Sequence, residues 1–221
     1  MLELIHMPLC PYGRKVRLVL AEKKAEARLT TASPWDLGED IYDLNPAGEL
    51  PVLLDGGRPL AESGAIAEFL DEIRTEPPLI PGDAHERAEV RRLVDWFDIK
   101  FARDVTGNIL REKVYKPLKR AGEPDMTRIR TGIRNLNIHL DYVSYLSEQR
   151  NWLAGEVLSL ADFAAGAHLS CLDYVGIVPW SKFPEAAEWY RRLKSRPAFR
   201  GLLSDRIPGF LPPEHYADLD F

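Results

Sequence analysis

The chain has 221 residues, 45% of them apolar and 10% aromatic, with 29 basic against 34 acidic side chains for a net charge of −5. That composition excludes a wholly disordered chain and argues against a general nucleic-acid binder, and the length suits one large or two small domains with a real core. Two cysteines, Cys10 and Cys171, form no disulfide framework and suit a reducing cytoplasm, and the widest stretch free of charged side chains is about half the ~20 residues of a membrane-spanning helix. Glu3 and His6 interrupt the first apolar stretch, which has no basic lead, so no signal peptide is expected.

In chain order, Leu2 to His6 reads as a strand, and Pro8 to Gly13 as a turn. Val16, Leu18, Val19 and Leu20 among charged neighbours read as a helix, and residues 28–32 as a weak second strand. Pro34 opens a loop or short helix holding Trp35. Leu50 to Leu54 is a strand, joined through Asp55-Gly56-Gly57 to a partner strand from Arg58 to Ala61. Ser63 is expected to cap a helix running to about Ile73. The order is βαβαββα. Pro77-Pro78 and Pro81-Gly82 then mark the boundary, and no strand signal follows. Val90, Leu93, Val94, Phe97, Phe101 and Val105 line one face of a long helix, and Ile129, Ile133, Leu136, Leu140 and Val143 line another. Further helices are expected from Ser159 to about Leu172, from Pro184 to Ser195, and briefly after Pro197. The predicted organisation is an α/β domain over residues 1–78, an all-α domain over 84–204, and a proline-rich acidic tail over 205–221. The tail is a surface strap or a mobile end.

Three motifs carry chemistry. Cys10-Pro11-Tyr12 puts a thiol at a helix start, where the dipole and unpaired N–H groups favour thiolate. Leu50-Pro51 opens a strand with a proline of the kind that is often cis. Glu62-Ser63 sits at a strand-to-helix turn suited to a carboxylate. The five histidines show no metal-ligand spacing, so no metal is expected. Cys171 reads as a buried structural residue, and Trp96, Phe97 and Phe101 as core. Trp35 has no periodic apolar neighbours, which leaves a partner contact or local packing open. Residues 103–134 hold nine basic and four acidic side chains, either a solvated helix end or a docking face for an acidic partner.

Cys10-Pro11-Tyr12, the run Asn45 to Leu53 and Ala61-Glu62-Ser63-Gly64-Ala65-Ile66 together resemble the glutathione-binding signature of the cytosolic glutathione transferase superfamily. Ser159-Leu160-Ala161-Asp162 resembles that superfamily's capping box. The resemblance covers nearly the whole chain and implies a thioredoxin-like N-terminal domain with an all-helical C-terminal domain. It implies Cys10, Leu50, Pro51, Glu62 and Ser63 as glutathione-binding residues, with Cys10 catalytic if the chain is an enzyme. A narrower resemblance lies in Trp96 to Phe101, Ala161 to Tyr174, Lys194 to Arg200 and the ending His215 to Phe221. These are similar to the FtsZ-binding, glutathione-transferase-like division proteins of alphaproteobacteria, the FzlA family. That resemblance implies a cytoplasmic homodimer acting at the division site, with FtsZ as partner and no cofactor required, glutathione remaining possible. It also implies variation at the position of Cys10, which suits an essential nucleophile poorly. Trp35, Asp218, Asp220 and Phe221 are the expected partner contacts. If the tail is extended, Asp218 and Asp220 share one side. The competing expectation is a glutathione-dependent transferase or thiol transferase using Cys10.

Overall fold

The computed structural model describes residues 1–33 and 38–219, without the side chain of Glu39. Trp35, Asp220 and Phe221 therefore lie outside the described residues.

The N-terminal part is a four-stranded mixed sheet with helices. β1 (Leu2–His6) pairs in parallel with β2 (Ala27–Thr31), and α1 (Pro11–Glu22) is the crossover between them. β1 also pairs antiparallel with β3 (Val52–Asp55), which pairs with β4 (Arg58–Leu60), for a spatial order β2-β1-β3-β4. The hairpin turn needs two residues at positive φ, and Gly56 and Gly57 supply φ of 57° and 87°. The short α2 (Glu39–Leu44) precedes β3, and α3 (Ser63–Ile73) follows β4. The βαβαββα order expected from the sequence is thus the observed one.

Helices follow. Asp83 caps α4 (Ala84–Asp95) through a capping box with Glu86. The helix continues through π-type turns over Trp96–Thr106, α5 (Gly107–Leu110), a second π-type stretch over Arg111–Tyr115 and α6 (Lys116–Lys119), where Arg120 at φ 52° ends it. The wider turns let Phe97, Phe101, Val105 and Ile109 all reach the core. α7 (Met126–Gln149) returns alongside it, with Gly132 allowing the close approach of Asn108 and Ile109. A Cβ at Gly132 would lie 2.7 Å from the Ile109 side chain.

α8 (Leu160–Tyr174) is buried along its whole length, which its ten-residue charge-free run permits. Its start is fixed by Asp162, whose carboxylate accepts from the backbone N–H of Ser159 at 3.0 Å, that of Leu153 at 2.9 Å and the Trp189 indole at 2.9 Å. α9 (Pro184–Lys194) and α10 (Arg200–Leu203) close the helical part. One apolar core runs through both parts, joining Leu4, Val16 and Leu53 to Phe101, Phe163 and Leu193. Cys171 lies in it, fully buried, its thiol pushed up to about 12 by desolvation.

The C-terminal segment is a strap. Tyr174 Oη donates to the Phe210 carbonyl and accepts from the Ile207 N–H, each at 2.9 Å. Tyr216 is fully buried, its hydroxyl 3.0 Å from both the Leu202 carbonyl and the Arg14 guanidinium. Over residues 214–218 the segment is not extended. Residues Glu214–Tyr216 form a 3₁₀ turn, and the Asp218 N–H bonds the His215 carbonyl at 3.1 Å. Lys194 Nζ, which donates to the carbonyls of His215 and Asp218, folds the chain inward here.

Candidate functional site

Five residues expected to act together converge on one cleft of about 770 Å³ between the sheet and the helical part: Cys10, Leu50, Pro51, Glu62 and Ser63. Local backbone explains each position. β1 delivers the chain to Cys10, which holds extended φ/ψ of −105° and 122° at the cap position of α1, with Pro11 in the first turn. The Leu50–Pro51 bond is cis. Glu62 occupies φ 66°, a strained value for a residue with a Cβ, at the entry to α3. Ser63 corrects an expectation: it is the first helical residue rather than the cap, and no side chain caps α3. Its burial follows from lying inside the first turn, and the unpaired N–H groups of that turn remain available to an anion.

The electrostatics do not favour an activated nucleophile. The sequence predicts a thiolate at Cys10. Desolvation instead raises the thiol above its ordinary value, outweighing the N–H groups of Gly13 and Tyr12 that favour the anion. Tyr12 is pushed up to about 12, first by burial and then by the charges of Asp98, Glu49 and Glu62. Tyr115, another lining residue, is also raised well above its ordinary value by burial. Thiol and phenols in the cleft are therefore protonated at neutral pH.

The opposite wall holds a polar network that the periodicity of the helices did not disclose. The buried Lys15 ammonium pairs with Asp98, and Tyr12 Oη donates to the Asp98 carbonyl at 2.9 Å. Asp98 Oδ1 lies 3.5 Å from His168 Nε2, and His168 Nδ1 shares a proton with Thr106 Oγ1 at 2.9 Å. Burial disfavours a charge on Asp98, yet Lys15 and His168 more than offset it and hold the carboxyl below its usual range. His168 is itself pushed down by burial. A charge at position 98 directly after the core residue Phe97 is the one signal the sequence offered.

A second network reaches from the cleft to the strap. Arg14 is fully buried, yet donates to the Pro8 carbonyl at 2.8 Å, to Ser170 Oγ at 2.9 Å and to Tyr216 Oη at 3.0 Å, and pairs with Asp205 at 3.2 Å. It ties the loop before Cys10 to α8 and the tail. Of the expected partner contacts, Asp218 is described, with its residue exposed and its carbonyl bonded to Lys194. Within the basic segment, Arg103 pairs with Asp104, while Lys116 and Arg128 pair with Glu112. Among the described residues no cluster of potential metal ligands occurs, and no helix is long and apolar enough to cross a membrane.

Comparison with known proteins places this geometry. Residues 9–73 match the family described as glutathione S-transferase, N-terminal domain, and residues 135–197 that described as glutathione S-transferase, C-terminal domain. FtsZ-localized protein A of Caulobacter vibrioides is 48% identical over 98% of this chain and 96% of its own length. Among solved structures, FzlA from C. crescentus superposes with a TM-score of 0.96 at 48% identity, covering 100% of this chain and 99% of that one. A structure described as a glutathione S-transferase from Rhodospirillum rubrum F11 superposes with a TM-score of 0.98, also at 48% identity, covering both chains completely. The chain has the glutathione transferase fold and belongs to the family of FtsZ-localized protein A.

Proposed function

We propose that the protein is a homodimeric binding protein that engages FtsZ in the cytoplasm at the division site and supports cell division, with no reaction of its own. The observation that carries this reading is the 48% identity to FtsZ-localized protein A, which extends over 98% of the chain. The protonated state of Cys10, Tyr12 and Tyr115 supports it, because the cleft lacks a poised nucleophile. Trp35, Asp218, Asp220 and Phe221 supply the partner contacts in this reading. The dimer is a C2 pair in which the N-terminal part of each subunit meets α4 and α7 of the other. Residues 1–80 carry 8 basic and 14 acidic side chains, so the charge of that pairing agrees in sign with the basic residues of 103–134. Two identical FtsZ-binding patches on such a dimer bridge filaments, and bivalency raises their avidity. No cofactor is required.

The second reading, a glutathione-dependent transferase or thiol transferase, is favoured by one observation: Cys10, Leu50, Pro51, Glu62 and Ser63 line a single cleft. The start of α3 suits one carboxylate of glutathione and Glu62 its ammonium. The second carboxylate at the far end needs a cation, and Lys119 is the only ammonium or guanidinium lining the cleft among the described residues.

Substituting Cys10→Ala separates the two. Binding to FtsZ polymers within about twofold of wild type, under ~0.5 kcal/mol, supports the first reading. Brisk thiol-transferase turnover that Cys10→Ala abolishes promotes the second.

A further inference from the structure

The two edges of the sheet are finished differently. β4 spans three residues with Pro59 in the middle, and a proline has no N–H to offer a further strand. β2 spans five residues without proline and pairs with β1, so its outer side meets no strand among the described residues. The Ala32 N–H bonds the His6 carbonyl at 2.9 Å. Alternation along a parallel pair then turns the N–H and C=O groups of Arg28 and Thr30 toward β1 and those of Ala27, Leu29 and Thr31 outward. Leu29, in that outward row, is 50% exposed.

A second feature lies against the same edge. Ala27 and Leu29 line a groove of about 210 Å³ whose other walls include Leu20, Ala25, Ala198 and Leu202. That is below the ~300 Å³ at which small-molecule sites begin, and it suits an apolar side chain instead. The groove shares no lining residue with the cleft. Charge selects the occupant. Lys24 and Arg28 are exposed at the strand, and Arg200 is exposed next to Gly201 in the groove wall. Arg28 lies 3.9 Å from Glu3, yet its side chain remains 72% exposed. Of the nearby acids, Glu22 is matched by Arg196 and Asp205 by Arg14 and Arg17, which leaves Glu26. A local positive surplus on a chain of net charge −5 favours an acidic partner. It disfavours a second copy of the chain, whose own Lys24 and Arg28 would come opposite these.

We propose that β2 docks an extended acidic segment of a partner protein as a further strand of the sheet, with an apolar residue of that segment in the groove and its carboxylates facing Lys24, Arg28 and Arg200. Main-chain bonds to the outward groups of Ala27, Leu29 and Thr31 supply the pairing, and the groove and basic rim select the sequence. This surface is independent of the FtsZ reading and stands or falls separately from it.

The test is fluorescence anisotropy of labelled octapeptides titrated with the full-length protein. A peptide alternating valine and aspartate is expected to bind at least tenfold more tightly than one alternating valine and lysine. Methylating the amide nitrogens of the valines, or those of the aspartates, removes alternate donors at constant charge. The two methylated isomers should differ at least tenfold in affinity, because one set of amides faces β2. Leu29→Pro deletes an outward N–H at an edge position where proline is tolerated, and should weaken binding at least tenfold with an unchanged melt. If that variant fails to fold, Arg28→Glu with Arg200→Glu carries the test and should also weaken binding at least tenfold. Arg58→Glu with Arg74→Glu makes the same charge change at exposed residues outside the groove lining, Arg58 lying on the opposite edge strand, and should stay within threefold of wild type. The proposal is overturned if the aspartate peptide does not bind, if the lysine peptide binds as well, or if the methylated isomers bind alike. Equal losses in the two double variants overturn it too, as does a folded Leu29→Pro that binds the peptide as wild type does. A Leu29→Pro that instead changes the sedimentation of the protein alone, with peptide binding intact, gives the edge to a second copy and overturns it as well.

Discussion

Tyr216 is where the C-terminal strap is fastened, and replacing it measures how firmly. Its ring is fully buried against Tyr174, with centroids 5.1 Å apart. Its hydroxyl accepts from Arg14 and donates to the Leu202 carbonyl. Tyr216→Phe keeps the ring and removes both bonds. Arg14 retains Ser170, Pro8 and Asp205, so one guanidinium N–H and one carbonyl lose a partner. Bonds to charged groups contribute about 1.5–3 kcal/mol, so the expected loss is about 2 kcal/mol. Tyr216→Ala also opens a cavity, for a total of about 3–5 kcal/mol. For a chain of this size a loss of about 2 kcal/mol lowers Tm by roughly 4–8 °C. Urea denaturation followed by tryptophan fluorescence gives the two free-energy losses, and a thermal melt gives the Tm shift. If Tyr216→Ala costs less than about 0.5 kcal/mol, the strap is not docked in solution, and the reasoning from Arg14 to the tail fails.

Asp162→Ala orphans four donors, the N–H groups of Leu153 and Ser159, the Ser159 hydroxyl and the Trp189 indole, and should cost on the order of 3–5 kcal/mol in the same urea assay. Cys10 should alkylate with iodoacetamide at a rate rising about tenfold per pH unit from 7 to 8, because burial raises its thiol above its ordinary value; a plateau below pH 8 would reveal a thiolate instead. Acid should destabilise the fold through two groups. Burial, with Arg17 nearby, lowers His6 from 6.5 to about 4, so its contribution is full above pH 6.5 and is lost as pH falls toward 4. Bonds from Arg92 and Arg150 lower Glu89 from 4.5 to about 2, so its contribution is full above pH 4.5 and is lost on the way to pH 2. Stability measured against pH in His6→Gln and Glu89→Gln should lose these two slopes separately.

The fold was legible because each of its signals is local. Gly56-Gly57 marks a two-residue hairpin, Pro77-Pro78 ends the sheet, and the three- and four-residue spacing from Val90 to Val105 survives even where the turns widen to π-type. The cleft was legible for a similar reason: three short motifs, each at a strand or helix end, arrive at one place. What stayed hidden depends on tertiary distance. Arg14 reads as a polar residue on an amphipathic helix, and only the packing of α1 on α8 shows it fully buried, reaching residues more than 150 positions away. Asp98 and His168 are 70 positions apart, and neither sits in a spacing that announces a pair. The thiolate expected at Cys10 failed because a helix start was counted and desolvation was not; the helix terminus is real, but burial outweighs it. An extended tail, the condition under which Asp218 and Asp220 would share one side, is not met over residues 214–218, where a 3₁₀ turn forms and Lys194 holds the carbonyls of His215 and Asp218; Asp220 lies outside the described residues.

Co-sedimentation of the purified protein with FtsZ polymers tests the proposed function most directly. The wild-type protein should pellet with polymers and stay in the supernatant without them. Asp218→Lys, at an exposed residue whose carbonyl still accepts from Lys194, should bind at least tenfold more weakly, a loss of ~1.4 kcal/mol or more, and its melting temperature separates that loss from any cost of reversing the charge that acts on Lys194. A wild-type protein that remains in the supernatant at micromolar FtsZ would contradict the proposed function.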